Sequence, residues 1–347
     1  MTDPREAARR QVGWWLLFVA LLVFCMVVVG GITRLTNSGL SMVEWRPVTG
    51  WLPPLSEAAW QEELEKYRQF PEYQKINRGM SLDEFRAIYW WEYGHRLFGR
   101  IIGLVFLLPF LFFLLTRRIA TSEAPGLLLL FLLGGAQGAL GWFMVKSGLV
   151  DHPDVSHYRL TAHLGLAVLI FALLLWQAMN RLTPARRSVR PEARLRAHAD
   201  LVIGLVGLQI LSGGLVAGLD AGHVFNTWPL MNGALLPDDF LHRAPWWLNF
   251  LESHGTVQFT HRTIAYMIVA AVAALWWRAR GSEVARRTDL LLGAMLCQVL
   301  LGVTTLLLMV PVALGALHQA GALILLAAAL WLRHGLRSPL AGGANGR

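Results

Sequence analysis

The stretch Trp91-Glu92-Tyr93-Gly94-His95-Arg96 has a second version in the same chain, Gln258-Phe259-Thr260-His261-Arg262. Each sets a His-Arg pair at the mouth of a long apolar run, with a polar side chain three residues before the histidine. One helix-turn-helix further on, each is followed by another histidine near the start of an apolar run. These are His163 in Leu160-Thr161-Ala162-His163-Leu164-Gly165 and His318 in Leu317-His318-Gln319-Ala320-Gly321. Two histidine pairs, one per half, therefore frame the reading of everything around them.

The 347 residues are 55% hydrophobic and 15% charged, against about 25% charged in ordinary soluble domains. With a positive mean hydropathy, this composition points to an integral membrane protein. A net charge of +9 could suggest a nucleic-acid partner, but that needs a basic face on a folded soluble domain. Here the arginines fall between apolar runs, the pattern of membrane topology, so no nucleic acid is expected. Cys25 and Cys297 both sit inside apolar runs, which argues against a disulfide framework or a thiolate metal site.

A spanning helix needs roughly 20 mostly apolar residues. Eight segments qualify: Val12–Ile32, Gly94–Leu115, Gly126–Val145, Leu160–Met179, Ala199–Leu219, Val257–Trp277, Leu290–Val310 and Val312–Leu332. The first follows Arg5, Arg9 and Arg10 like a signal peptide, but its apolar part is too long and no small-residue cleavage site follows, so it reads as a helix. Lysine and arginine in short loops set orientation. Arg117 and Arg118, the run Arg181 to Arg196, Arg278 to Arg287, and Arg333 and Arg337 all follow even-numbered spans. Both termini are expected in the cytoplasm.

The halves repeat. Gly30-Gly31 ends the first span and Trp45 lies 14 residues after Gly31; Gly213-Gly214 ends the fifth and Trp228 lies 14 residues after Gly214. Gly50 and Gly233 fall 19 residues after those same glycines, and Gln137 with Gly141 is answered by Gln298 with Gly302. The spacing predicts an all-α fold of two tandem, parallel four-helix-bundle repeats. Residues 1–180 and 199–347 would form the units, with a basic linker over 181–198.

All four histidines begin spans that enter from the outer side, so they share one depth. Ionisable residues inside spans are rare and usually functional. Facing helices of a bundle can supply both axial ligands of a haem, and Gly99, Gly103, Gly134, Gly135, Gly138, Gly141 and Gly165 offer room. A non-haem metal site would usually add carboxylates or further histidines at i, i+3 or i+4. Four interhelical hydrogen-bonding histidines are the plainer alternative. The other histidines fall in loops: His152, His157, His223, His242 and His254 outside, His198 and His334 among cytoplasmic arginines. Arg34, Arg96 and Arg262 could bind propionates as planar forks or reach lipid phosphates by snorkelling. Glu92 breaks the symmetry, because its counterpart Gln258 cannot ionise. One site would then do proton chemistry and the other carry electrons, unless Glu92 is simply an acid favoured near a helix start.

These residues resemble the haem A synthase family across nearly the whole chain. The likeness rests on Gly30-Gly31-Ile32-Thr33-Arg34-Leu35-Thr36-Asn37-Ser38-Gly39-Leu40-Ser41 with Glu44-Trp45, on Glu92-Tyr93-Gly94-His95-Arg96 and His163, on Asn226-Thr227-Trp228-Pro229-Leu230-Met231, and on His261-Arg262 and His318. The long first outer loop is similar to the proteobacterial and mitochondrial branch; another branch has outer-loop cysteines, which this sequence lacks. The resemblance implies oxidation of a haem O methyl group to a formyl group, giving haem A for terminal oxidases. It implies haem O on His95 and His163 beside Arg96, Glu92 as the catalytic carboxylate, and a haem b cofactor ligated by His261 and His318. It also implies a bacterial inner-membrane location with the haem sites toward the periplasm. Haem O synthase and terminal oxidase assembly factors would be partners, and a homo-oligomer is compatible with it. Two rival classes remain at this stage: a di-haem b electron-transfer cytochrome, with two equivalent sites, and a polytopic transporter, with polar groups at several depths.

Overall fold

The structure is a computed structural model that describes residues 3–46, 49–150, 153–183 and 193–336. Among these residues there is no strand, only the isolated bridge Met231–Ala234. Eleven α-helices follow one another: α1 (Pro4–Leu35), α2 (Glu57–Arg68), α3 (Pro71–Lys75), α4 (Leu82–Leu115), α5 (Ala124–Gly148), α6 (His157–Leu182), α7 (Ala193–Gly218), α8 (Asn249–Glu252), α9 (His254–Arg278), α10 (Ala285–Leu307) and α11 (Val312–Gly335). All but α2, α3 and α8 are long and apolar enough to cross a membrane. Leucines such as Leu115, Leu132 and Leu300 stand exposed on their outer faces, as expected where lipid chains replace water as the solvent.

The long helices are ordered by neighbour contacts. α1 packs on α4 and α6, and α5 packs on α4 and α6, closing a ring of four. α7 packs on α9 and α11, and α10 on α9 and α11, closing a second ring. The rings meet where α1 lies on α11 and α6 lies on α7 and α11. One apolar core runs through both rings, from Leu16 and Val19 on α1 to Leu323 and Leu326 on α11.

Helix ends differ from the hydropathy limits where polar residues can still pack. α4 starts at Leu82, behind a capping box in which the Ser81 hydroxyl accepts from Glu84 N–H and the Glu84 carboxylate accepts from Ser81 N–H. Its 34 residues span about 51 Å at 1.5 Å each, more than the roughly 30 Å hydrocarbon core. The extra turns are held by an aromatic cap, where Phe85, Tyr89 and Tyr93 of α4 bury against Met42, Trp60, Leu64 and Tyr67. Glu72 on α3 lies inside this cap and accepts from the Tyr67 hydroxyl at 2.9 Å. Burial, against the Tyr67 hydrogen bond and with help from nearby Glu92 and Asp154, pushes its carboxyl up to about 7.

The basic linker also shrinks. α6 runs through Arg181, whose buried guanidinium bonds Gln177 and Glu123, and α7 already includes residues 193–198. The remainder of the expected linker, 184–192, lies outside the described residues, as do Pro47, His152 and Arg337.

Candidate functional site

Each of the four histidines rests on a glycine of the long helix before its own. A Cβ on Gly30 of α1 would stand 3.5 Å from the His95 ring, on Gly141 of α5 2.9 Å from His163, on Gly213 of α7 3.2 Å from His261, and on Gly302 of α10 2.8 Å from His318. His95 lies within electrostatic reach of His163, and His261 of His318, so the histidines pair within rings. The pairs share a further device. Gln137 donates to the His163 carbonyl at 2.9 Å, and Gln298 donates to the His318 carbonyl at the same distance. A glutamine one helical turn before the glycine thus ties down the second turn of α6 and of α11, where His163 and His318 stand.

The glycine stripe on α5 continues past the imidazole. Gly134, Gly138 and Gly141 are spaced for one helix face, and a Cβ on Gly134 or Gly138 would meet nothing within 4 Å. Gly103 on α4 and Gly135 are open in the same way. Gly165 differs from its expected role: its missing Cβ admits Leu211 of α7 at 2.8 Å, so it serves the contact between rings.

No third His, Cys, Asp or Glu joins a metal-holding group among the described residues. The Nδ1 of His163 is buried without a hydrogen-bond partner. Paired imidazoles, open glycines beside one of them and no further ligand suit the two faces of a haem better than a small ion, which would require three or four ligands of its own.

Glu92 is buried, and it lies well inside α4 rather than at its start, so the macrodipole cannot explain it. Its carboxylate accepts from the Ser41 hydroxyl at 2.8 Å, from Met42 N–H at 2.7 Å and from Arg96, one turn on. Arg96 also donates to the carbonyls of Met42 and Glu44 at 2.7 and 2.8 Å and lies over the Trp45 ring. The second ring repeats this clamp with an amide. Gln258 accepts from Arg262 at 2.7 Å and donates to the Ala221 carbonyl at 2.8 Å, while Arg262 donates to the Phe225 carbonyl at 3.1 Å. Each loop thus receives its chemical complement: donors at Ser41 and Met42 meet a carboxylate, and an acceptor at Ala221 meets an amide N–H.

All three arginines considered as propionate or lipid ligands are engaged by protein. Arg34 bridges Asp220 at 2.8 Å and donates to the Ala217 carbonyl, tying the end of α1 to the end of α7. Ser41, Met42 and the four glycine seats were not singled out as a set by sequence reasoning. The matched Gly30-Gly31 and Gly213-Gly214, with the matched spacing of Gln137–Gly141 and Gln298–Gly302, were the signals of the seats.

Fold and site together define a multi-pass membrane protein carrying two paired-imidazole centres within helix rings. The chain belongs to the COX15-CtaA family, described as cytochrome oxidase assembly protein, which it matches over residues 13–330. It is 52% identical over 334 residues to a protein of Parvibaculum lavamentivorans named Heme A synthase, covering 96% of each chain. Proteins of the same name from Nitrosospira multiformis and Rhodospirillum centenum are each 50% identical. Those matches cover 97% and 96% of this chain, and 96% and 90% of the relatives. With its eight spans and bacterial relatives of this kind, the chain is a multi-pass inner-membrane protein.

Proposed function

We propose that this chain is a haem A synthase, an oxidoreductase that converts a methyl group of haem O to a formyl group. The observation that carries the reading is the set of four imidazoles, each on a glycine and paired within its ring, in a chain about half identical to proteins named for that activity. Residues 1–180 form the substrate unit and 199–347 the cofactor unit. His95 and His163 hold the iron of haem O from its two faces. His261 and His318 would hold the iron of a haem b, which when bound would supply one-electron relay. The arginine pattern puts both termini in the cytoplasm and the histidines toward the periplasm.

The resemblance implies oxidation by two successive hydroxylations of the methyl carbon, each removing two electrons that an acceptor outside this chain must take, followed by loss of water to leave the formyl group. Glu92, one turn before His95, takes up protons or stabilises developing positive charge at the substrate edge. Arg96 holds that carboxylate and frames the substrate site through the loop it grips. The bilayer accommodates the isoprenoid tail of haem O, and haem O synthase and oxidase assembly factors are the expected partners for supply and delivery.

Pigment analysis tests this. Cells that make haem O and this chain should accumulate haem A, and the purified protein should carry haem b that disappears when His261 or His318 is replaced by a non-ligand. A protein that holds two permanent b-type haems and forms no haem A would instead be an electron-transfer cytochrome.

A further inference from the structure

The two rings treat their corresponding histidines differently. His261 Nδ1 lies 2.8 Å from the Ser212 hydroxyl, and its Nε2 lies 3.1 Å from the Gln209 amide nitrogen. The His95 ring, by contrast, makes no hydrogen bond among the described residues, and the positions that would supply one are apolar. Ser212 directly precedes the glycine seat Gly213, and Val29 directly precedes the seat Gly30; Gln209 stands four residues before its seat, and Met26 four before its own. The glutamines that precede the other two seats, Gln137 and Gln298, are by contrast alike in the two rings.

The proton count at Ser212 gives this difference a direction. A serine hydroxyl has one proton to donate, and Ser212 Oγ is 2.9 Å from the Gln209 carbonyl, which can only accept. With its proton directed there, the Ser212 oxygen accepts from His261, which places the imidazole proton on Nδ1. The Gln209 amide nitrogen is a donor and faces Nε2, which agrees with an unprotonated Nε2 carrying its lone pair. The buried Ser212 therefore presets the tautomer and ring angle that a metal ligand needs. An acceptor on the far ring nitrogen raises the basicity of a metal-binding imidazole and typically contributes about 10–100-fold in metal affinity.

We infer that Ser212 is the positioning residue that makes the second centre a permanent haem site, and that Val29 in its place leaves the first centre able to release its haem. This rests on the reading of His261 and His318 as ligands of a resident haem. It also answers a requirement of that reading, since a substrate haem must leave as product while a cofactor haem must stay.

The test compares Ser212→Val with Ser212→Thr, two side chains of the same shape that differ in the hydroxyl. Both full-length proteins are purified, and loss of haem b to excess apomyoglobin is timed beside the reduction midpoint of the bound haem. The Val variant should lose haem about 10–100-fold faster and its midpoint should move up, because a less basic imidazole favours ferric iron less. The Thr variant should stay near the parent in both. Equal loss rates and midpoints for Val and Thr would overturn the role of Ser212. Haem b held normally after His261→Ala would instead overturn the ligand reading beneath it.

Discussion

Glu92 is where chemistry and architecture compete for one side chain. Its carboxylate receives Ser41, Met42 N–H and Arg96, so Glu92→Gln removes charge and also turns an amide NH2 toward groups that donate. Leaving a buried donor unmet costs about 1–3 kcal/mol. Hydrogen exchange over residues 38–46 should therefore quicken in Glu92→Gln. Ser41→Ala separates the two roles, because it loosens the loop and keeps the carboxylate. Haem A formation should fall by about 10²–10⁴-fold in Glu92→Gln if the carboxylate does acid–base work, and far less in Ser41→Ala. Equal losses in the two variants would make Glu92 a loop anchor alone.

At the scale of helices, the glycine seats set how close neighbours approach. Gly302→Ala would press a methyl group to 2.8 Å of the His318 ring, whereas Gly30→Ala would make only ordinary contact at 3.5 Å with His95. Purified Gly302→Ala should show depleted or high-spin haem b, and Gly30→Ala should keep its haem b spectrum. The aromatic cap carries a pH dependence of its own. Glu72 is raised by burial from 4.5 to about 7, so its proton is held more tightly in the folded cap than in the unfolded chain. Its stabilising contribution is complete below about pH 4.5 and is lost as pH rises through about 7. Exchange protection of α2 and α3 should weaken over that window, and Glu72→Gln should flatten the response. The eight spans and the four histidines were legible in the sequence, because apolar length and intramembrane imidazoles are strong local signals. The early start of α4 was not, since hydropathy falls at Trp90-Trp91-Glu92 while the helix continues on the aromatic contacts of its cap. Nor was the partnership of Glu92 with Ser41 and Met42, which are 50 or more residues away and have no periodicity to betray them.

At the scale of the molecule, orientation follows from the arginines. Reporter fusions after Arg280 should report a cytoplasmic location and one after Asn232 a periplasmic one; the reverse pattern would invert the chain and move the histidines to the inner face. The join between rings is specific as well as apolar. Gln319 of α11, next to His318, donates to the Val27 carbonyl of α1 at 3.0 Å, and its side chain occupies the place a Cβ on Gly31 would take.

That bond joins residues 292 positions apart, whereas both members of each histidine pair lie within a single ring. A contact of such long sequence separation must meet a large loop-closure cost before it forms, and units made first fold first during synthesis. The ribosome therefore delivers His95 and His163 with all their glycine seats before any of the second ring exists. Under the proposed function, haem could therefore be offered to the first ring before the second is made, and the closing of the last helix on the first would end assembly rather than precede it.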